Sequence, residues 1–377
     1  MDSRYLIETL KKLNVDFFTG VPDSYLSSFV DCAIDSCKEY ADHIIAANEG
    51  NAVAFAAGYH LATGKIPCIY LQNSGLGNII NPVTSLLNEQ VYQIPCVFVI
   101  GWRGEPGVVD EPQHRFQGDI TLKTLELLDI EYIIIDKSST VIQLEKQIEK
   151  FKKTLEVGKS VAFVVKKGAL TSDLKVEYKN DYSTRREDVI KSIVEVAGED
   201  PIVATTGKTS RELFEIREAN GQPHHYDFLT VGSMGHSSSI ALGIALNKPA
   251  KRVWCLDGDG STLMHLGSMA TIGALAPKNF VHILINNESH ESVGGQPTVA
   301  GKIDFMKIAE GCGYSYVFRA DNLRELNGLL ENIMGLEGPI FIEVKCAIGS
   351  RNNLGRPSTT PVENKQVFMD MLTRSNA

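Results

Sequence analysis

The sequence predicts an α/β protein built from two doubly wound, parallel, helix-covered sheets in tandem. Three observations carry that prediction. Short apolar runs of strand length, at 67–72, 97–100, 161–165, 252–256 and 280–285, alternate with longer segments of helical period. The runs end in turns rich in Gly, Ser, Thr, Asn and Asp, the residues that let a chain leave a strand and enter a helix. Residues 166–182 are polar and charged with no sustained period. They divide the chain into domains over 1–168 and 184–377, joined by a linker over 169–183.

In the first half, 3–13 reads as an amphipathic helix and 16–19 as a short strand. That strand ends in Gly20-Val21-Pro22-Asp23-Ser24, a turn that caps a helix running to about residue 37. A strand over 43–47 precedes a helix over 49–63, rich in Ala and Gly and suited to close packing. Strand 67–72 leads into the turn Asn73-Ser74-Gly75-Leu76-Gly77-Asn78, and strand 97–100 into a long irregular loop over 101–118. Strands near 132–135 and 161–165 complete the half. The second half repeats the rhythm without a close sequence repeat. Helix 186–197 and strand 201–205 lead to the turn Thr206-Gly207-Lys208-Thr209-Ser210. A Gly/Ser-rich loop over 231–239 opens a small-residue helix. Strand 252–256 enters an acidic, Gly-rich turn, with a helix from near residue 263, and strand 280–285 follows. A helix over 304–312, a strand over 315–319, a helix over 322–334, a strand over 339–344 and a polar tail from 349 close the chain.

At 377 residues the chain suits two domains of roughly 100–200 residues each. Its 43% apolar content is enough to fill two cores. The net charge of −9 argues against a nucleic-acid partner, although a local cationic pocket on an acidic protein still takes an anion. Seven cysteines are dispersed without a CxxC pair, as expected of reduced thiols in a cytoplasmic protein. Residues 1–6 show no signal-peptide pattern, and no apolar run approaches the roughly 20 residues of a membrane helix. The expectation is a cytoplasmic protein with no membrane partner.

The stretch Asp257-Gly258-Asp259-Gly260-Ser261 follows one apolar run, and Asn286-Asn287 ends another. In a parallel sheet both lie at the carboxyl edge, where open α/β sheets bind ligands. Asp259 and Asn287 offer hard oxygens there, and Mg²⁺ takes a few such ligands together with phosphate oxygens. Gly258 and Gly260 let the backbone approach a diphosphate closely. Each piece alone is also ordinary turn chemistry; the pair at this spacing is far more specific.

Gly258-Asp259-Gly260-Ser261, followed at this distance by Asn286-Asn287, resembles the cofactor-binding signature of the thiamine-diphosphate-dependent decarboxylases. The likeness extends to Ala46-Ala47-Asn48-Glu49-Gly50-Asn51-Ala52 and Ala56-Ala57-Gly58-Tyr59 in the first half. It implies a pyrimidine-binding domain, then a diphosphate-binding domain, with no middle domain between them. It implies thiamine diphosphate and Mg²⁺ as cofactors. By the same likeness Glu49 hydrogen-bonds the aminopyrimidine ring. A buried carboxyl with a raised pKa stabilises the imino tautomer that deprotonates the thiazolium. A first-turn acid is also favoured by the helix dipole alone. Gly232, Ser233 and Met234 resemble the loop that holds the cofactor between its rings, with Met234 as the wedge. Thr206, Gly207, Lys208 and Thr209 resemble the diphosphate-side turn, which Gly258, Gly260 and Ser261 would also face, and Gly75 lies beside the pyrimidine. Asp259, Asn287 and the Ser289 carbonyl would hold the metal. In this family the cofactor lies between one subunit's first domain and another's second. A homo-oligomer, at least a dimer with active sites between subunits, is therefore implied.

The turns Gly20–Ser24, Trp102–Gly107, Asp110–His114, Glu288–Ser292 and Gly294–Thr298 resemble the branch that decarboxylates phosphonopyruvate and its relative acting on sulfopyruvate. The implied reaction converts 3-phosphonopyruvate to phosphonoacetaldehyde and CO₂ without oxidation, a step of phosphonate biosynthesis, with the cofactor as electron sink. Beside Glu49, the catalytic candidates are Asp23, Ser24, His114 and His290, both histidines placed in loops. Lys208, Arg211, Arg103 and Arg115 are candidate cations for a 2-oxo acid with a second anionic group. Three other readings stay open. One is a sulfopyruvate decarboxylase, often split into two subunits where this chain joins both halves. Another is an acetolactate-synthase-like carboligating enzyme. The third is a non-catalytic phosphate-binding α/β module; no GxxxxGK[ST] loop marks a nucleoside triphosphatase. His43 and His282 fall in strands and read as structural.

Overall fold

The computed structural model describes residues 1–377 other than 38, 40, 41, 175 and 375–377. The chain forms two compact units, Met1–Glu177 and Tyr178–Ala377. In the first, the strands are β1 (Phe18–Gly20), β2 (His43–Ile45), β3 (Cys68–Gln72), β4 (Val97–Gly101), β5 (Glu131–Ile135) and β6 (Val161–Val165). Between them run α1 (Ser3–Lys11), α2 (Ser27–Ser36), α3 (Glu49–Thr63), α4 (Leu76–Pro82), α5 (Pro112–Leu127) and α6 (Val141–Glu156). The strand order is β2-β1-β3-β4-β6-β5, parallel throughout. Successive strand residues point to opposite faces. Val97, Val99 and Phe163 therefore join the core under α1, α2 and α6, while Phe98, Ile100 and Val164 join the one under α3, α4 and α5.

The second unit contains β7 (Ile202–Ala204), β8 (Asp227–Leu229), β9 (Val253–Gly258), β10 (Phe280–Asn286), β11 (Tyr316–Ala320) and β12 (Ile340–Lys345). Its helices are α7 (Arg186–Ala197), α8 (Lys208–Ala219), α9 (Ser237–Asn247), α10 (Asp259–Met264), α11 (Gly267–Leu275), α12 (Phe305–Cys312), α13 (Leu323–Ile333) and α14 (Pro361–Arg374). Its order is β11-β12-β10-β9-β7-β8, again all parallel. Read from the other end, this is the order of the first sheet, strand for strand. Each sheet reverses its winding between its first and third strands, and that is where open α/β sheets leave a ligand crevice.

Four local expectations are corrected. The loop expected over 101–118 ends in α5, which begins at Pro112 with the proline at N1, where its missing N–H costs nothing. The turn expected over 73–78 is a 3₁₀ turn that opens α4. The turn expected over 257–261 is the end of β9 and the first turn of α10. The polar tail carries α14.

Candidate active site

The first sheet presents its candidate residues at four neighbouring strand ends. Glu49 begins α3 just beyond β2, with Asn48 as N-cap accepting from the Gly50 amide at 2.7 Å. Its carboxylate is buried and accepts from Asn78 Nδ2 at 2.7 Å. Burial holds the carboxyl above the ordinary range, against the pull of that amide. Gly75 stands against it: a Cβ there would lie 2.5 Å from Glu49 Oε1. Close approach, rather than turn geometry, is thus what position 75 requires.

Asp23 lies beyond β1 and is fully buried. Gln72 Nε2, at the end of β3, donates to its Oδ1 at 2.5 Å, and the Tyr25 amide to its Oδ2 at 3.0 Å. The Gln72–Asp23 bond crosses the point where the sheet reverses. Burial raises this carboxyl too, outweighing both hydrogen bonds and Arg103. Beyond β4, Arg103 forks onto Asp110, Nε to Oδ2 at 2.8 Å and Nη2 to Oδ1 at 2.5 Å. Its Nη1 reaches Ser24 Oγ at 3.3 Å, and the guanidinium lies over the Tyr25 ring. His114 sits in the first turn of α5 rather than in a loop, buried, with Nδ1 lacking a hydrogen-bond partner. Burial, then the Arg103 charge, lowers its pKa to about 4, so the ring is neutral near pH 7. Asp23, Ser24, Arg103 and His114 thus gather at one end of the sheet.

The second sheet repeats the arrangement. Beyond β7, Thr205 Oγ1 donates to Ser261 Oγ at 3.0 Å across the same reversal point. The Gly235 amide also donates to Ser261 Oγ, at 3.1 Å, which ties the loop after β8 to the start of α10. Gly260 lets Met234 and His290 close in; its Cβ would stand 3.2 Å from Met234 Cε and 3.3 Å from His290 Nδ1. Gly207 has φ of 93° and opens α8 at Lys208, a conformation glycine adopts at little cost. Thr206 Oγ1 donates to the Val231 carbonyl at 2.8 Å, so the turns after β7 and β8 are joined, and Thr209 is buried in the first turn of α8. Gly232 and Ser233, the latter at φ 52°, lie between Val231 and Met234.

Asp259 is buried at the head of α10. Thr298 Oγ1 donates to its Oδ2 at 2.5 Å, and burial pushes the carboxyl up to about 7. No lysine, arginine or histidine among the described residues forms an ion pair with it. Asn287, beyond β10, is buried, and its Oδ1 accepts from the Ser289 amide at 3.2 Å. A buried acid without a cation, beside neutral oxygen ligands, is a donor set that fits Mg²⁺. Residues 205–209, 232–235 and 258–261 place backbone and hydroxyl groups suited to a diphosphate nearby.

Sequence reading missed what surrounds these groups. Glu291 receives Arg186 Nη1 at 2.7 Å, Lys208 Nζ at 2.7 Å and Asn287 Nδ2 at 2.8 Å. Asp257 is buried 3.6 Å from His282 Nε2, and His282 Nδ1 is 2.9 Å from the Tyr314 hydroxyl. The four candidate cations are all engaged: Arg103 by Asp110, Lys208 by Glu291, Arg211 by the carbonyls of Leu354 and Gly355, and Arg115 by the Asp110 carbonyl.

Together these features define a class: a doubly wound α/β protein whose ligand groups cluster at the reversal point of each sheet. Residues 3–126 match the family model described as thiamine pyrophosphate enzyme, N-terminal TPP binding domain. Residues 205–344 match the model for the C-terminal TPP binding domain of the same enzymes. The chain belongs to the thiamine pyrophosphate (thiamine diphosphate) enzyme family, and it is similar end to end to decarboxylases within it. It is 35% identical to a phosphonopyruvate decarboxylase of Streptomyces viridochromogenes over 98% of this chain and 94% of that one. It is 34% identical to one of Streptomyces hygroscopicus, over 98% and 93%. A sulfopyruvate decarboxylase of Methanosarcina acetivorans is 26% identical over 97% of this chain and 96% of its own. That relative carries both halves on one chain, so their union here does not by itself separate the two substrates.

Proposed function

We propose that the protein decarboxylates 3-phosphonopyruvate to phosphonoacetaldehyde and CO₂, using thiamine diphosphate and Mg²⁺. The observation that carries this reading is the end-to-end identity with phosphonopyruvate decarboxylases, higher than with the full-length sulfopyruvate enzyme. When bound, the cofactor supplies the electron sink for the departing carboxylate. Glu49, buried and inclined to keep its proton, would hold the pyrimidine ring and supply it with a proton. Asp259, Asn287 and the Ser289 carbonyl hold the metal, and residues 206–209 and 258–261 hold the diphosphate. Met234, packed against Gly260, would support the cofactor between its two rings. Asp23, Ser24, His114 and His290 handle the substrate and the returning proton. An anionic substrate end would compete with Asp110 for Arg103. Seven free thiols support a reducing, cytoplasmic setting, and no helix among the described residues is long and apolar enough to cross a membrane. The working form is a homo-oligomer, at least a dimer, with its active sites between subunits.

The deciding experiment compares kcat/KM for 3-phosphonopyruvate and sulfopyruvate, with product identification. Phosphonopyruvate should lead by at least about tenfold, the equivalent of about 1.4 kcal/mol of differential transition-state binding. The opposite order would assign sulfopyruvate, and a product with a new C–C bond would assign a carboligase.

A further inference from the structure

Asn287 serves a cation only if its amide presents oxygen rather than nitrogen. The two ends of an amide are nearly alike in shape, so its neighbours must choose between them. Glu291 makes that choice. Its Oε2 lies 2.8 Å from Asn287 Nδ2, and an ionised carboxylate accepts but cannot donate. The carboxylate is itself held from two sides. Arg186 Nη1 reaches Oε2 at 2.7 Å, and Lys208 Nζ reaches Oε1 at 2.7 Å. Arg186 is fixed in turn by a two-pronged bond to Glu212, at 2.7 and 2.8 Å. Arg186 and Glu212 are buried, Glu291 is nearly so, and two cations balance two carboxylates. Asn287 Oδ1 then faces the Ser289 amide, with a second lone pair left over.

We propose that Glu291 is a positioning residue for the metal centre. It locks the Asn287 amide with oxygen toward the cation and, through Lys208, couples that choice to the diphosphate-side turn. The inference rests on the reading of Asp259 and Asn287 as metal ligands. Groups that orient a ligand in this way typically tune metal affinity by about 10–100-fold. In Glu291→Gln the new NH₂ must face Lys208 or else share the Oε2 position with Asn287 and Arg186. The second arrangement invites the Asn287 amide to flip and turn nitrogen toward the cation.

The test titrates Mg²⁺ into the full-length protein at saturating thiamine diphosphate and follows cofactor binding by calorimetry. Glu291→Gln and Glu291→Ala should raise the Mg²⁺ concentration at half-saturation by about 10–100-fold. Excess Mg²⁺ should restore full cofactor stoichiometry. An unchanged half-saturation in either folded variant overturns the proposal. So does a loss of binding that no Mg²⁺ concentration repairs, or a loss of fold in both variants, which would assign Glu291 to stability instead. A wild-type protein that binds the cofactor without Mg²⁺ dependence would instead overturn the metal reading itself.

Discussion

A carboxyl inclined to keep its proton is what Glu49 and Asp23 share, and in both the cause is burial. For Asp23 this has a consequence for stability. Its folded pKa is raised, so its stabilising contribution is complete below the unfolded value of about 4 and is lost as pH rises through the folded one. Above that pH the folded protein buries an ion that the unfolded chain would hydrate. Asp23→Asn should therefore raise the thermal midpoint of the cofactor-free protein at pH 8, with the difference shrinking toward pH 4. Decarboxylation should fall by about 100-fold or more if Asp23 moves a proton. Equal midpoints across the pH range would remove the buried-acid reading. The family resemblance named these acids, each standing in a short motif just beyond a strand. It could not name Asn78 or Gln72 as their partners, or Thr298 as that of Asp259, because a helix, a strand end and a loop distant in sequence meet these carboxyls only in the folded sheets. Glu291 stood four residues past Asn287 with no period to mark it.

Between elements, the most exposed dependency is the pairing of α8 with β8. Arg217 and Asp227 meet through two bonds of 3.0 Å with side chains almost completely buried. Removing one partner of such a pair leaves a buried charge uncompensated, at a cost of about 3–5 kcal/mol, whereas an apolar pair can be neutral. Arg217→Leu should lower the unfolding free energy read from urea titration by about 3–5 kcal/mol, and adding Asp227→Leu should recover most of it. If the single change is silent, α8 is anchored by its apolar face alone. The elements that sequence missed were missed for identifiable reasons. Gly104, Gly107 and Gly118 made 101–118 look like loop, but Gly118 lies inside α5 and is glycine because a Cβ there would strike the Gly104 carbonyl; the Trp102 indole donates to the Gly118 carbonyl at 3.0 Å. Helices α6 and α14 did carry readable signals. Thr140 and Gln143 form a capping box, and Thr360 and Glu363 bond in the same reciprocal way. β8 is only three residues long, too short to show an alternation.

At the scale of the whole molecule, the shared strand order puts candidate residues at equivalent strand ends of the two sheets. Glu49 follows the second strand of its sheet as Met234 follows the second of its own. Asp23 and Thr206 follow the first strands, and Arg103 and Asn287 the fourth. Three helices near these ends, α3, α9 and α11, are apolar around most of their circumference, a composition that belongs in an interior. Yet Phe55, Leu61, Leu246 and Leu275 on them are exposed, which favours burial against a second copy. If the activating carboxyl and the metal ligands of one site come from different subunits, two dead variants can repair each other. Glu49→Gln and Asp259→Ala should each be inactive alone. Co-expressed in equal amounts, random dimers are half mixed, and each mixed dimer has one doubly damaged site and one intact site. The mixture should then show about one quarter of wild-type activity, the value fixed by two-fold symmetry. Sites contained within single subunits would give no activity in the mixture, because every subunit would carry one lesion in its own site.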